Sequence, residues 1–315
     1  MVRRRRAIGA GLLGATVLAV LATVVAVGSG GGGHSVARRA STARGSGAPS
    51  AGAVSSAGHT SGQPPSTGTV NGRATGRPGR DPVPILMYHV IAAPPAGAPF
   101  PGLYVTPSEF AAQMNALKRA GWHAVTLDQA EAYWHEGVPL PGGKPIVLSF
   151  DNGYRSQYTE ALPILRGLGW VGVENMQLTG LPPSQGGLSS DEIHNLVADG
   201  WELDTQGFSH ADLITLDAQE LHYQVAVART TVQKRFGVPV NWFCYPSGHY
   251  DATVIAAVKA AGYEGSTTVI PGWAHPGEDP YRLHRLRVLG GTTAEALVQE
   301  ITAIRANPPA PASYG

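Results

Sequence analysis

The sequence predicts an α/β fold on a parallel sheet, either closed into a barrel or open and doubly wound. Two observations carry this expectation. Over residues 82–306, apolar runs of strand length alternate with segments of helical periodicity. Four polar clusters follow the predicted strand ends, which is where both architectures collect their chemistry.

Residues 83–88 (VPILMY) are an apolar run that reads as a buried strand. Residues 108–120 read as a helix: Ser108 can cap it, Phe110, Met114 and Leu117 recur at helical spacing, and Gly121 ends it. Residues 146–150 (IVLSF) form a second buried strand. Residues 157–168 are helical up to Gly169, and 170–176 are strand-like. A helix over 190–198 has Asp191 and Glu192 in its first turn and a stop at Gly200; a short strand covers 201–203. The long helix over 217–236 starts with Asp217 and Glu220 and is closed by Gly237 and Pro239. Strand 242–245, helix 251–261, strands 264–269 and 286–289, and helix 293–306 complete the series, and a Pro-rich tail follows at 307–315.

The chain has 315 residues, one cysteine and a formal net charge of +1. One cysteine excludes an intramolecular disulfide and a Cys-rich metal site. Near-neutrality excludes a strongly basic nucleic-acid binder. The average hides two unlike regions. Residues 1–80 hold ten arginines and no Lys, Asp or Glu; the other 13 basic and 22 acidic residues give 81–315 a net charge of −9.

Arg3, Arg4, Arg5 and Arg6 precede an uncharged, mostly apolar run over 7–28. As a helix this run spans about 33 Å, enough for a hydrocarbon core of roughly 30 Å. It predicts an uncleaved membrane anchor, or a signal peptide cut near Ala26-Val27-Gly28. Either way the chain is exported, to the cell membrane with an extracytoplasmic domain or to the medium. Residues 29–80 are rich in Gly, Ser, Ala, Thr, Pro and Arg, and so predict a disordered linker. The expected segments are an anchor or signal peptide at 1–28, a linker at 29–80, a folded domain at 81–306 and a tail at 307–315.

The four clusters are Tyr88-His89; Ser149-Phe150-Asp151-Asn152-Gly153-Tyr154; Asp204-Thr205-Gln206-Gly207-Phe208-Ser209-His210-Ala211-Asp212-Leu213; and Phe243-Cys244-Tyr245-Pro246-Ser247-Gly248-His249-Tyr250. In this order and at this spacing they resemble the polysaccharide deacetylase (NodB-homology, carbohydrate esterase family 4-like) family over roughly residues 82–300. The resemblance implies a distorted (β/α) barrel and metal-dependent removal of N-acetyl groups from sugars. In the family's first motif, similar to T/S-F-D-D-G, the first Asp is the general base and the second a metal ligand. Its second motif has two metal-binding histidines four apart, and its third resembles Y-P-x-G and lines the groove. Asp151 matches the base, His210 matches the second histidine, and Tyr245, Pro246 and Gly248 match the groove motif.

Two metal positions depart from the pattern, Asn152 for the second Asp and Gln206 for the first His. Neutral amide oxygens are much poorer zinc donors than carboxylate or imidazole. Three readings follow. A deacetylase acting on a cell-envelope or extracellular glycan rebuilds its divalent, zinc-like site on His210 with Asp151, Asp204, His249 or His89. Alternatively, a catalytically inactive relative binds an N-acetylated glycan, with Asn152 and Gln206 as hydrogen-bonding groups. In a third reading, Asp151 and His210 work as a metal-free acid/base pair. The first reading leads, because Asp151 has little purpose without chemistry.

His89 is a further catalytic candidate, Arg285 a candidate to orient Asp151 by a charge-assisted bond, and Trp273, in the loop Pro271-Gly272-Trp273, a candidate to stack on sugar. The −9 charge of 81–315 favours a neutral or partly deacetylated amino sugar over a polyanion.

Overall fold

The computed structural model describes residues 74–181 and 186–306. The predicted anchor or signal peptide at 1–28, the linker up to residue 73 and the tail at 307–315 lie outside the described residues. Among the described residues no helix is long and apolar enough to cross a membrane.

Among the described residues eight parallel strands are laid down in the order β1 (Ile85–Tyr88), β2 (Trp122–Val125), β3 (Lys144–Asn152), β4 (Val173–Met176), β5 (Glu202–Thr205), β6 (Trp242–Cys244), β7 (Gly265–Pro271) and β8 (Leu283–Arg287). β1 pairs with both β8 and β3, so seven strands close a barrel in the order β1-β8-β7-β6-β5-β4-β3. β2 lies outside this ring. It pairs with Lys144–Val147 at the start of β3, and β4 takes up the same edge from Ser149 onward. The closed form predicted by the resemblance is therefore the one observed.

The helices are α1 (Pro107–Arg119), α2 (Leu127–Glu136), α3 (Leu162–Leu168), α4 (Ser190–Ala198), α5 (Ala218–His222), α6 (Ala228–Phe236), α7 (Ala252–Ala260) and α8 (Ala294–Ala306). Thr106, Thr126 and Ser189 start α1, α2 and α4 with full capping boxes, each closed by a Glu or Gln three residues on. The cap of α1 is Thr106, not Ser108. Two predicted helices contain π-helical turns, at Gln157–Ala161 before α3 and Tyr223–Val227 between α5 and α6.

The sequence reading misses β2 and α2. β2 has only four residues, and His123 interrupts its apolar run. The described residues before 81 also contact the barrel's helices. Residues 75–79 donate to the last carbonyls of α2: the amides of Thr75, Gly76 and Gly79 bond Gly137, Glu136 and Tyr133 at 3.3, 3.2 and 2.8 Å. A helix C-terminus leaves such carbonyls without partners, which is why this end of the predicted linker is held.

Alternate strand residues face the barrel interior, and the interior changes character along its axis. At the N-terminal ends of the strands it is apolar, with Ile85, Val147, Val173, Trp242 and Leu283 packed in one buried cluster. One step up the inward residues are polar: Ser149, Asp151, Asn175, Asp204 and Arg285, all essentially buried. At the C-terminal ends they become His89, Gln177, Gln206 and Arg287 and open into a cavity.

Candidate functional site

The cavity at the C-terminal end of the barrel has a volume of about 560 Å³. It brings together most of the residues singled out from the sequence: His89, Asp151, Asn152, Gln206, His210, Tyr245, Gly248 and Arg285 all line it. Among the described residues three non-glycine residues have positive φ, Asn152 (81°), His210 (55°) and Ser247 (56°), and all three line this cavity. Such backbone costs energy and collects at functional sites.

The floor is an ion pair. Arg285, at the centre of β8, and Asp151, near the end of β3, are each 1% exposed. Nη1 donates to Oδ1 at 2.7 Å and Nη2 to Oδ2 at 2.9 Å. The remaining Arg285 donors go to the Thr268 carbonyl (Nε, 2.8 Å), Ser149 Oγ (3.1 Å) and Cys244 Sγ (3.3 Å). Asp151 also accepts from Asn175 Nδ2 at 2.9 Å and from the Cys244 thiol at 3.5 Å. All five N–H groups of the guanidinium and about four lone-pair sites of the carboxylate are thus used within the protein. Burial alone would raise the Asp151 carboxyl; the charge and hydrogen bonds of Arg285, helped by His89 and Asn175, hold it at about 2. This geometry places Arg285 directly against Asp151, the residue it was expected to orient.

His89 extends from the end of β1 with Nε2 4.0 Å from Asp151 Oδ2, and its buried Nδ1 has no hydrogen-bond partner among the described residues. Burial lowers its pKa to about 4; Asp151 opposes this, and Arg285, Arg287 and His210 add to it. The ring is neutral at physiological pH. His210 is lowered too, chiefly by burial.

Both π-helical turns supply a glutamine to the site. Gln157 Nε2 donates to the backbone carbonyls of His89 and Asp151, each at 2.8 Å, and so ties the ends of β1 and β3 together. Gln224 Oε1 accepts from the amides of Phe208 and Ser209 at 2.9 and 3.0 Å and fixes the loop that carries His210. π-turns are frequent beside functional sites. An ordinary helical reading of those segments carries no sign of them. Asn175 and Gln177 escape it for another reason: they interrupt the apolar run of β4 at alternate, inward positions.

Asn152 donates Nδ2 to Gln177 Oε1 at 2.9 Å. Gln206 is 3% exposed, lines the cavity, and its Oε1 has no hydrogen-bond partner among the described residues.

Four predicted site residues lie elsewhere. Asp204 faces the interior one step below Gln206, where Oδ1 accepts the amides of Trp242 (2.9 Å) and Asn241 (3.2 Å). Its β5 register places it beside Asn175, under the cavity and not in its lining. His249 sits on an exposed loop with Nδ1 3.1 Å from Asp212. Trp273 turns away from the mouth: its Nε1 donates to the Ile301 carbonyl of α8, and its ring packs edge-on against Trp122 of β2. Its place as the exposed ring at the cavity falls to Phe100, 69% exposed. Pro246 is buried and starts the turn that presents Ser247 and Gly248, without lining the cavity itself.

A family model described as polysaccharide deacetylase matches residues 140–266. YxkH of Bacillus subtilis, a predicted polysaccharide deacetylase, is 26% identical over 214 residues, covering 68% of this chain and 74% of the relative. The crystal structure of a predicted polysaccharide deacetylase from Bacillus anthracis superposes with a TM-score of 0.62 at 28% identity, covering 70% of this chain and 69% of the other. In sequence and in fold the chain is similar to the polysaccharide deacetylase family. A short segment is also similar to the poly-β-1,6-N-acetyl-D-glucosamine N-deacetylase of Escherichia coli, 39% identical over 61 residues, or 19% of this chain and 9% of that one.

Deacetylases of this family are generally metal-dependent, and the donor set here does not fit a zinc-like ion. Such an ion takes ionised carboxylate, imidazole or thiolate. Of these types the cavity offers Asp151, whose oxygens are saturated by Arg285, Asn175 and Cys244, and two histidines. Asp204 and His249, the residues expected to rebuild the site, are not in the lining. Among the described residues no group of three or more His, Cys, Asp or Glu side chains is placed to hold a metal ion.

Proposed function

We propose that this deacetylase-like chain holds an N-acetylated glycan in the mouth of its barrel without running metal-hydroxide hydrolysis. The observation that carries this reading is Gln206 Oε1. A buried acceptor without a donor costs about 1–3 kcal/mol. This one lines the cavity where the family pattern has a metal-binding histidine. The N–H of an acetamido group supplies the missing donor. Exposed Phe100 and half-buried Tyr154 line the same cavity and offer apolar faces to a sugar ring.

Hydrolysis has less support. An activated hydroxide needs a firmly bound ion that lowers the pKa of its water. A carboxylate held at about 2 is poorly matched to general-base work near neutral pH. Retention of Asp151 favours the alternative, a working deacetylase, and acetate release separates the two. The arginines at 3–6 and the apolar run at 7–28 support export to the cell envelope or medium, where such glycans are met.

The test is calorimetric titration of the protein with N-acetylglucosamine and glucosamine oligomers of equal length. The acetylated oligomer is expected to bind about tenfold or more tightly, and Gln206→Leu to remove the difference, in line with loss of one buried polar contact. Equal binding of the two oligomers by the wild type contradicts the assignment.

A further inference from the structure

Arg285 and Arg287 are two residues apart on β8, so both side chains point to the inside of the barrel, with Arg287 one step nearer the mouth. Both line the cavity. Their surroundings differ. Arg285 is buried and saturated by Asp151, whereas Arg287 is exposed and makes no ion pair with any carboxylate of the described residues. Residues 1–73, 182–185 and 307–315 contain no Asp or Glu that could serve.

The charge of the cavity follows. Among the described residues Asp151 is the sole carboxylate in its lining, and Arg285 offsets it. His89 is neutral, with its pKa lowered to about 4 in part by both guanidiniums. One positive charge remains, at the rim, on a domain whose 81–315 segment is −9 overall. A fork of N–H donors at the edge of a sugar-sized cavity matches a carboxylate or a phosphate in charge and in geometry.

We propose that Arg287 recognises an anionic substituent, carboxylate or phosphate, on the glycan next to its acetamido sugar. This rests on the glycan-binding reading above and narrows its ligand from neutral amino sugars to acidic ones. It reverses the expectation drawn from the net charge of the domain, which averages over a surface that the ligand does not touch.

The test compares three probes on the full chain at low salt: a neutral N-acetylglucosamine tetramer, a tetramer alternating N-acetylglucosamine with a uronic acid, and an N-acetylglucosamine oligomer carrying a phosphate. The wild type is expected to bind at least one acidic probe about tenfold more tightly than the neutral one, as for a hydrogen bond to a charged group. The larger ratio identifies carboxylate or phosphate. The ratio is expected to shrink with added salt and to fall to about one in Arg287→Gln, with Arg287→Lys between because it keeps the charge and loses the fork. A wild-type ratio near one, or a ratio that survives in Arg287→Gln, overturns the role of Arg287 and leaves glycan binding standing. No binding of any saccharide by the wild type overturns the glycan reading itself.

Discussion

Arg285 places both terminal nitrogens on Asp151, Nη1 2.7 Å from Oδ1 and Nη2 2.9 Å from Oδ2, with each side chain 1% exposed. The pair joins β8 to β3 across the barrel interior, and it decides what Asp151 can do. A carboxylate with every lone pair taken is a poor metal ligand and a weak base.

Breaking one side of a buried ion pair leaves an uncompensated charge. Arg285→Leu strands Asp151 and is expected to cost about 3–5 kcal/mol in urea unfolding. Arg285→Lys keeps the charge but not the fork, and should cost less. Equal losses for the two variants would show that packing, not charge, is what Arg285 supplies.

Below the cavity, Asp204 and Glu202 make a second buried arrangement with the opposite pH behaviour. Glu202 Oε2 accepts the Asp128 amide at 2.8 Å, while Glu202 Oε1 and Asp204 Oδ2 are buried without a donor among the described residues. Burial raises Asp204 to about 7, against the pull of Glu202 and the Trp242 and Asn241 amides and with a push from Asp128. Glu202 is raised as well, by burial and by Asp128 and Asp204. The native state therefore keeps protons that the unfolded chain releases from about pH 4 upward. This contribution to stability is full below that point and is lost as pH climbs through about 7. Asp151, depressed to about 2, behaves in the reverse sense and loses its contribution only as pH falls below about 4. Urea midpoints should fall from pH 5 to pH 8 in the wild type, and the fall should be smaller in Asp204→Asn. A flat wild-type profile would contradict the raised carboxyls of Asp204 and Glu202.

Cys244 is fully buried between Arg285 and Asp151, and burial pushes its thiol up to about 12. Reactivity follows the thiolate. Native protein should resist iodoacetamide over hours and label rapidly in urea, read by intact mass. Fast labelling of the native protein would mean that the barrel floor opens.

Asn152 and Gln206 can be returned to the family pattern. Asp tolerates the positive φ of position 152 better than most residues. Asn152→Asp with Gln206→His adds a carboxylate and an imidazole near His210. The double variant should retain stoichiometric zinc after dialysis where the wild type retains none. Zinc in the wild type at the same level would show a donor set other than the one described.

Much of the fold could be read in the sequence because its signals are strong and local. The apolar runs 83–88 and 146–150 became β1 and β3, and the polar clusters after them formed the cavity. β2 was lost because four residues broken by His123 look like any loop. The helix over 157–168 was found, but its π-turn was not, and Gln157 in that turn bonds across 68 residues to His89, beyond the reach of a local pattern. Asp204, His249 and Trp273 were misplaced for one reason: nearness in sequence to a strand end does not fix which way a side chain turns. Asp204 takes an inward step too low, His249 falls on an outer loop, and Trp273 finds Trp122 and α8 instead of the mouth. Arg285 lay outside the expected strand 286–289 and was singled out for the charge-assisted bond it could make to Asp151; the structure places it inside β8 with that bond formed.

The most direct test of the central claim is acetate release from N-acetylglucosamine oligomers by the wild-type protein, with added zinc and with chelator, on preparations shown to bind the same oligomers. Binding without acetate release under either condition is the predicted result. Metal-dependent acetate release over many turnovers would contradict it and place the chain among working deacetylases.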